Sequence, residues 1–519
     1  MPMELTQPLH KALQERPDAE ALVCGQRRST FARFVDRVAR LAAVLRDLGL
    51  APGDRVGLLA LNSDRYVEYL YATWWAGGVV NPVNIRWSPR EVAYSLDDCD
   101  TRILIADGHF GAVAAEQRQL SRSLKTLVHF GDGPAPEGFA DAEALMAAAH
   151  PGPDARRNGS DLAAVMYTGG TTGLPKGVML SHTNLYAGQL SANMAARRPD
   201  EAVGLNMAPM FHAGGAGLTL QLMMRLARQV IIPAFDELAV LQALQNERCS
   251  ETFMVPTMLK RLVEHPRFAD FDTSSLQLVL YGAAPIDDAL LLQALDKLPR
   301  AQFCQLYGMT ELSPVVTALP AWCHAPDQPA ARRRSAGRPV PIAEVRIVDR
   351  AGRPVPNGTV GEIAARGPMV MQGYWNKPGQ TAEVLRDGWM HTGDGGVMDA
   401  DGFVYVVDRL KDMVVTGGEN VYSAEVENAI AQLPEVSMCA VIGVPDEKWG
   451  ERVHAVVVLR AGQALTAEAL IAHCKGQIAG YKCPRSVEFV EAIPLSPAGK
   501  LLKYKLREQH WAGRGRQVA

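Results

Sequence analysis

Short apolar runs recur along this chain, each followed by a stretch long enough for a helix, and that alternation restricts the fold more than any other feature. Arg33 to Leu48 has helical periodicity, and Arg55-Val56-Gly57-Leu58-Leu59 then reads as a strand. Thr101 to Ala106, Gln229 to Pro233 and Leu276 to Tyr281 read as further strands separated by helix-length segments. The pattern predicts an α/β protein with parallel sheets. A chain of 519 residues is too long for one ordinary core, so two or more domains are expected. From Gly337 to Ile363 the texture changes. Pro339, Pro341, Gly352, Pro354, Pro356 and Gly358 interrupt strand-like pieces there, which predicts a small β element closing a large domain. Gly131 to Pro136 reads as a surface loop, and Trp511 to Ala519 as a frayed tail.

Composition removes several function classes. A formal net charge of −3 supplies no basic field for nucleic acid. Met1-Pro2-Met3-Glu4-Leu5 lacks the charged-then-apolar pattern of a signal peptide. Apolar windows such as Tyr69 to Val80 are far shorter than the ~20 residues of a membrane helix. Eight scattered cysteines without a Cys-x-x-Cys pair suit a reducing compartment, so a cytoplasmic location is expected. Cys323-His324 has no second pair to complete a metal set.

The segment Tyr167 to Val178 is the most informative for chemistry. Between Thr168 and Lys176 it holds three glycines (Gly169, Gly170, Gly173), three threonines (Thr168, Thr171, Thr172) and the lysine. The apolar run Leu162 to Met166 precedes it and reads as a buried strand. Glycines let successive backbone N–H groups turn toward one anion, threonine hydroxyls add donors, and lysine adds a mobile positive charge. That is a phosphate cradle, and its spacing is not that of a Walker A loop.

The cradle resembles the signature of the adenylate-forming (AMP-binding) superfamily, which includes acyl-CoA synthetases. Tyr307-Gly308-Met309-Thr310-Glu311 is similar to that family's Y-G-x-T-E motif, and His391-Thr392-Gly393-Asp394 to its T-G-D motif. Asp408 to Asp412 and Thr416 to Asn420 resemble its hinge and the loop that follows. Pro494 to Lys500 resembles its terminal lysine motif. Gly395 departs from the family, which more often has an apolar residue there. The resemblance implies a large N-terminal domain over 1–408, built of two α/β subdomains and a small β-barrel. A small mobile C-terminal α/β domain would follow over 409–519. It also implies an acid–thiol ligase that uses ATP, Mg²⁺ and CoA.

Roles follow residue by residue. The Thr168–Lys176 loop would hold the leaving pyrophosphate. Tyr307, with Gly282, Ala283 and Ala284, would make room for adenine. Thr310 would bond the α-phosphate, Glu311 would hold Mg²⁺, and Asp394 with Arg409 would bind the ribose. Lys500 would bridge carboxylate and α-phosphate during adenylation, and a lysine acetyltransferase acting on it would switch the enzyme off. Gly417 and Gly418 would line a pantetheine channel once the small domain rotates. Trp449, Lys482 and Arg485 are candidates for the CoA nucleotide, the alternatives being a packed tryptophan and a solvated charged face. His212 reads as a pocket wall or as a core histidine. Gly214, Gly215, Ala216 and Gly217 would leave space for the acid, with Met309, Val315 and Val316 as apolar lining. With no arginine evident in that stretch, an apolar monocarboxylate, medium-chain or aryl, is expected over a dicarboxylate. The alternatives are an acyl-AMP ligase loading a carrier protein, a luciferase-like oxygenase acting on an adenylate, and a non-catalytic nucleotide binder. Oligomers are possible.

Overall fold

The computed structural model describes residues 3–168, 174–325, 327–409, 412–417, 419–495 and 501–511, without the Arg409 side chain. Two large sheets dominate. One has nine strands, running in spatial order Arg338–Pro339, Thr317–Leu319, Gln302–Tyr307, Leu278–Gly282, Glu251–Met254, Val203–Asn206, Arg228–Ile231, Glu20–Cys24 and Arg27–Thr30. Its six central strands pair in parallel, and antiparallel strands close both edges. The second sheet has eight strands, with Val79–Pro82, Arg55–Leu59, Ile103–Ala106 and Thr126–His129 in parallel register. Leu162–Thr168 and Lys176–Ser181 form an antiparallel hairpin in that sheet, in which Thr168 faces Lys176.

The largest core cluster joins side chains from both sheets, and two helices fill it. Phe31–Asp47 starts where Thr30 accepts a hydrogen bond from the Arg33 N–H, and it buries Phe31, Phe34, Val35, Val38 and Leu41 at helical spacing. Asp64–Ala76 is buried on every side, and Gly77 ends it in a left-handed conformation (φ +91°). This helix and the strand after it account for the apolar window at Tyr69 to Val80.

The Gly/Pro-punctuated region forms an antiparallel sheet of Glu344–Val348, Gly361–Arg366, Trp389–Met398, Leu385–Arg386 and Val404–Arg409. Gly395 lies inside Trp389–Met398, and a register shift between Gly395 and Gly396 absorbs the missing side chain. A fourth sheet, from Val414 onward, pairs Val436–Asp446 with Gly450–Leu459 and builds the small C-terminal domain. Leu410 and Lys411 lie outside the described residues.

Trp511 is not part of a tail, and residues 512–519 lie outside the described residues. Trp511 ends the helix Lys503–Trp511, and its indole N–H donates to the Gly443 carbonyl at 3.0 Å. All eight cysteines are free and buried. No helix among the described residues is long and apolar enough to cross a membrane.

Two buried histidines make stability pH-dependent. His182 accepts from the Leu5 N–H, and His324 Nε2 meets the Tyr281 hydroxyl at 2.8 Å. His324 is therefore a structural partner of Tyr281 and not half of a metal pair. Burial lowers both imidazoles from about 6.5 to about 4. Between those values only the unfolded chain takes up the proton, so this stability is complete above pH 6.5 and is lost as pH falls toward 4. The loss is about 3 kcal/mol per histidine at most. Urea unfolding from pH 7 to pH 4 should show a smaller loss for His324→Gln than for the parent chain. Equal pH slopes would contradict the assignment.

Candidate active site

The site forms where the carboxyl ends of Leu278–Gly282 and Gln302–Tyr307 meet the hairpin of the second sheet and the strand Trp389–Met398. Leu278–Gly282 and Gln302–Tyr307 pair so closely that a Cβ on Gly282 would lie 2.1 Å from the Leu306 carbonyl, and in the segment after the second strand one on Gly308 would lie 2.0 Å from the Pro314 carbonyl. The glycines are there for backbone contact. On its Cβ side Gly282 is closed by the Leu306 backbone.

Tyr307 donates its hydroxyl to Asp394 Oδ2 at 2.7 Å, fixing both side chains. Asp394 pairs across the strands with Arg409. One turn after Tyr307, the short helix Thr310–Leu312 presents Glu311, which is buried. Its backbone carbonyl accepts from the Met371 N–H, and its Oε1 accepts the Tyr374 hydroxyl at 2.9 Å. Lys176 Nζ stands 4.9 Å from the centre of the Tyr374 ring, an attractive placement for a cation. Glu311, Tyr374 and Lys176 thus form one cluster with a carboxylate and an ammonium on either side of a phenol. Burial next to Glu311 pushes the Tyr374 phenol up, so it stays protonated as the donor. Gly169 to Gly173 and Lys500 lie outside the described residues, as does Gly418.

Beside Thr310 opens a cavity of about 140 Å³, walled by His212, Gly214, Phe253, Ala283, Met309 and Val315 among others. His212 is therefore a wall residue, and its ring packs against Phe211 at 4.3 Å. Val316 points instead into the main core. Two of the glycines after His212 line this cavity and are closely packed. Cβ atoms on Gly214 and Gly215 would strike the Phe253 ring and the Pro209 carbonyl, at 2.9 and 2.3 Å. They let the helix Ala213–Met224 settle against its neighbours.

One wall is polar, which the sequence did not reveal. Gln221 lines the cavity while its Oε1 accepts from Arg198 at 2.6 Å and its Nε2 donates to Gln189 at 2.9 Å. Gln189 in turn donates to the Ser313 carbonyl at 2.6 Å. Arg198 is anchored behind by Glu251 at 3.1 Å, a fully buried carboxylate that also receives Arg225. Burial lowers the Arg198 guanidinium from its ordinary value, and Glu251 opposes that shift. The arginine absent from the glycine stretch is thus present behind the cavity, already paired.

In the small domain the structure brings Gly417, Trp449 and Arg485 together. A Cβ on Gly417 would lie 2.6 Å from the Trp449 ring, and the Arg485 guanidinium covers that ring at 4.5 Å. Lys482 is drawn away from this group to Glu425, at 2.7 Å.

Residues 9–375 match the AMP-binding enzyme family, and residues 425–500 match the AMP-binding enzyme C-terminal domain. Feruloyl-CoA synthase from Amycolatopsis is 41% identical over 495 residues, covering 95% of this chain and 96% of that one. The fatty acid–acyl-carrier-protein ligase ScoC of Streptomyces coeruleorubidus is 36% identical over 509 residues, with 97% and 96% covered. The crystal structure of ATP-bound MatB from Rhodopseudomonas palustris superposes with a TM-score of 0.89 at 32% identity, over 98% of this chain and 99% of that one. The chain belongs to the AMP-binding enzyme family. It is an AMP-forming acid–thiol ligase that works with ATP, Mg²⁺ and CoA. The donor set fits the ion: a buried carboxylate with one oxygen bonded to Tyr374 keeps Oε2 for a hard cation.

Proposed function

We infer that this enzyme joins CoA to an aryl acid that carries a hydrogen-bonding group, such as a hydroxyl, at the end remote from its carboxylate. The single observation that carries this reading is Gln221 in the wall of a mostly apolar cavity. About 150 Å³ of apolar space holds one benzene ring, and the cavity is about 140 Å³. One ring fits that volume better than an extended alkyl chain. Gln221 spends one N–H and one lone pair on Gln189 and Arg198, which leaves the rest of its amide for a guest. The similarity to a feruloyl-CoA synthase points the same way.

Within this reading Lys176 and the Thr168–Gly173 loop hold the β- and γ-phosphates. Tyr307 and Ala283-Ala284 receive adenine, Asp394 and Arg409 receive ribose, Thr310 the α-phosphate and Glu311 the Mg²⁺ ion. The domain boundary falls at 408/409. After adenylation the small domain rotates there, withdrawing Lys500 and bringing up Gly417-Gly418, with Trp449 and Arg485 near the CoA nucleotide. Lys482 would have to leave Glu425 to join them. Acetylation of Lys500 would remove the charge on which the first step depends.

A hydroxylated aryl acid should exceed its unhydroxylated analogue by about tenfold in kcat/KM, the worth of one good hydrogen bond. Gln221→Met should erase that ratio while the enzyme still forms aryl-CoA, detected by mass spectrometry. A parent enzyme that prefers octanoate or malonate, or a variant that keeps the ratio, would defeat the substrate assignment. Acyl-AMP accumulating without thioester would point to a carrier protein as acceptor.

Lys500 belongs to the step in which two anions meet. Lys500→Ala should slow pyrophosphate release by on the order of 10²-fold or more and keep much of its rate from synthetic acyl-AMP plus CoA. Equal slowing of both half-reactions would contradict the rotation of the small domain.

A further inference from the structure

The small domain holds a cluster that none of this chemistry uses. His454 lies on the strand Gly450–Leu459, Glu488 on Ser486–Phe489, and His510 in the last turn of Lys503–Trp511. The first two strands run side by side, with His454 opposite Ser486, and the helix packs over the same sheet. One ligating atom from each residue lies within 4.8 Å of the other two. His454 is 6% exposed, and its Nδ1 is tied to the Ser486 hydroxyl at 2.7 Å. That tie fixes the ring so that Nε2 faces the cluster. Nε2 is buried without a hydrogen-bond partner, and the nearest carboxylate oxygen is Glu488 Oε2 at 3.5 Å. The His510 ring stands edge-on with its centre 5.0 Å away. A cavity of about 160 Å³ opens beside the cluster, lined by Glu488, Gln509 and His510.

We propose that His454, Glu488 and His510 form a zinc site that fastens the C-terminal helix to the small sheet. Two imidazoles and one carboxylate are a zinc donor set, with the fourth position left for water from the adjoining cavity. Bond lengths of about 2.0–2.2 Å in a tetrahedron put donor atoms about 3.4 Å apart. His454 and Glu488 already stand at that spacing. Glu488 is about half exposed, at 47%, and can turn inward. A hydrogen-bonded Nδ1 with the opposite nitrogen free is the arrangement that orients a ligating histidine. Arg452 is the nearby charge that opposes a cation, and it is drawn toward Asp446 at 4.0 Å. In sequence the ligands bracket Lys500, so an ion there would tie together both ends of the segment that carries it.

The full-length protein, stripped with a chelator and kept in millimolar Mg²⁺, is titrated with Zn²⁺ by calorimetry and by metal analysis after dialysis. One equivalent should bind at micromolar or tighter affinity, and the melting temperature should rise with Zn²⁺ concentration as ligand linkage requires. Co²⁺ should give the visible absorption of a tetrahedral ion. His510→Ala and Glu488→Gln each lie at the surface of the cluster and should weaken binding at least tenfold, whereas His150→Ala should not. Zn²⁺ bound equally well by His510→Ala and Glu488→Gln, or no stoichiometric binding by the parent, would overturn the site.

Discussion

A buried hydrogen bond from Tyr374 to Glu311 sits where the two large sheets meet, and the candidate site is arranged around it. Glu311 follows a strand of the nine-stranded sheet, whereas Tyr374 and Lys176 belong to the eight-stranded one. The bond therefore fixes a carboxylate from one sheet against an ammonium from the other. Activating an acid with ATP drives two anions together, so the protein's part is to place compensating charge before the reaction begins. A cluster held by burial and by a phenol that stays protonated is suited to that, because its geometry costs no reorganisation when substrate arrives.

The cavity beside Thr310 is backed by a different buried array. Glu251, Arg198, Gln221 and Gln189 form a chain of directed bonds ending at the Ser313 carbonyl, just before the residues that turn back to line the cavity. Such a chain adds little to stability compared with an apolar core, yet removing Glu251 would strand the buried Arg198 guanidinium at a cost of about 3–5 kcal/mol. What it does provide is orientation. Arg198 and Gln189 hold the two ends of the Gln221 amide, so it meets the cavity in one pose, and Thr310 lines the same cavity.

Much of this was legible in the sequence, for reasons that differ by element. The strands Arg55–Leu59 and Leu278–Gly282 are short apolar runs, and the helix Phe31–Asp47 repeats its apolar residues every three or four positions. Local pattern suffices for those. Tyr307, Glu311, Asp394 and Lys176 stand in motifs, and the fold gathers them. Tyr374, Gln221 and Arg198 stand in no motif. They reach the site only through contacts between segments distant in sequence, and no local signal marks them. The packing of the glycines is equally hidden: at Gly214, Gly215 and Gly282 another backbone or ring lies where a Cβ would stand.

We propose Glu311 as the carboxylate that meets Mg²⁺ beside the cavity at Thr310. ATP–pyrophosphate exchange, measured against Mg²⁺ concentration for Glu311→Gln, tests this most directly because it reads adenylation alone. The exchange rate should fall by on the order of 10²-fold or more, with the unfolding transition preserved. Near-parent exchange at limiting Mg²⁺ would show that the ion is held elsewhere.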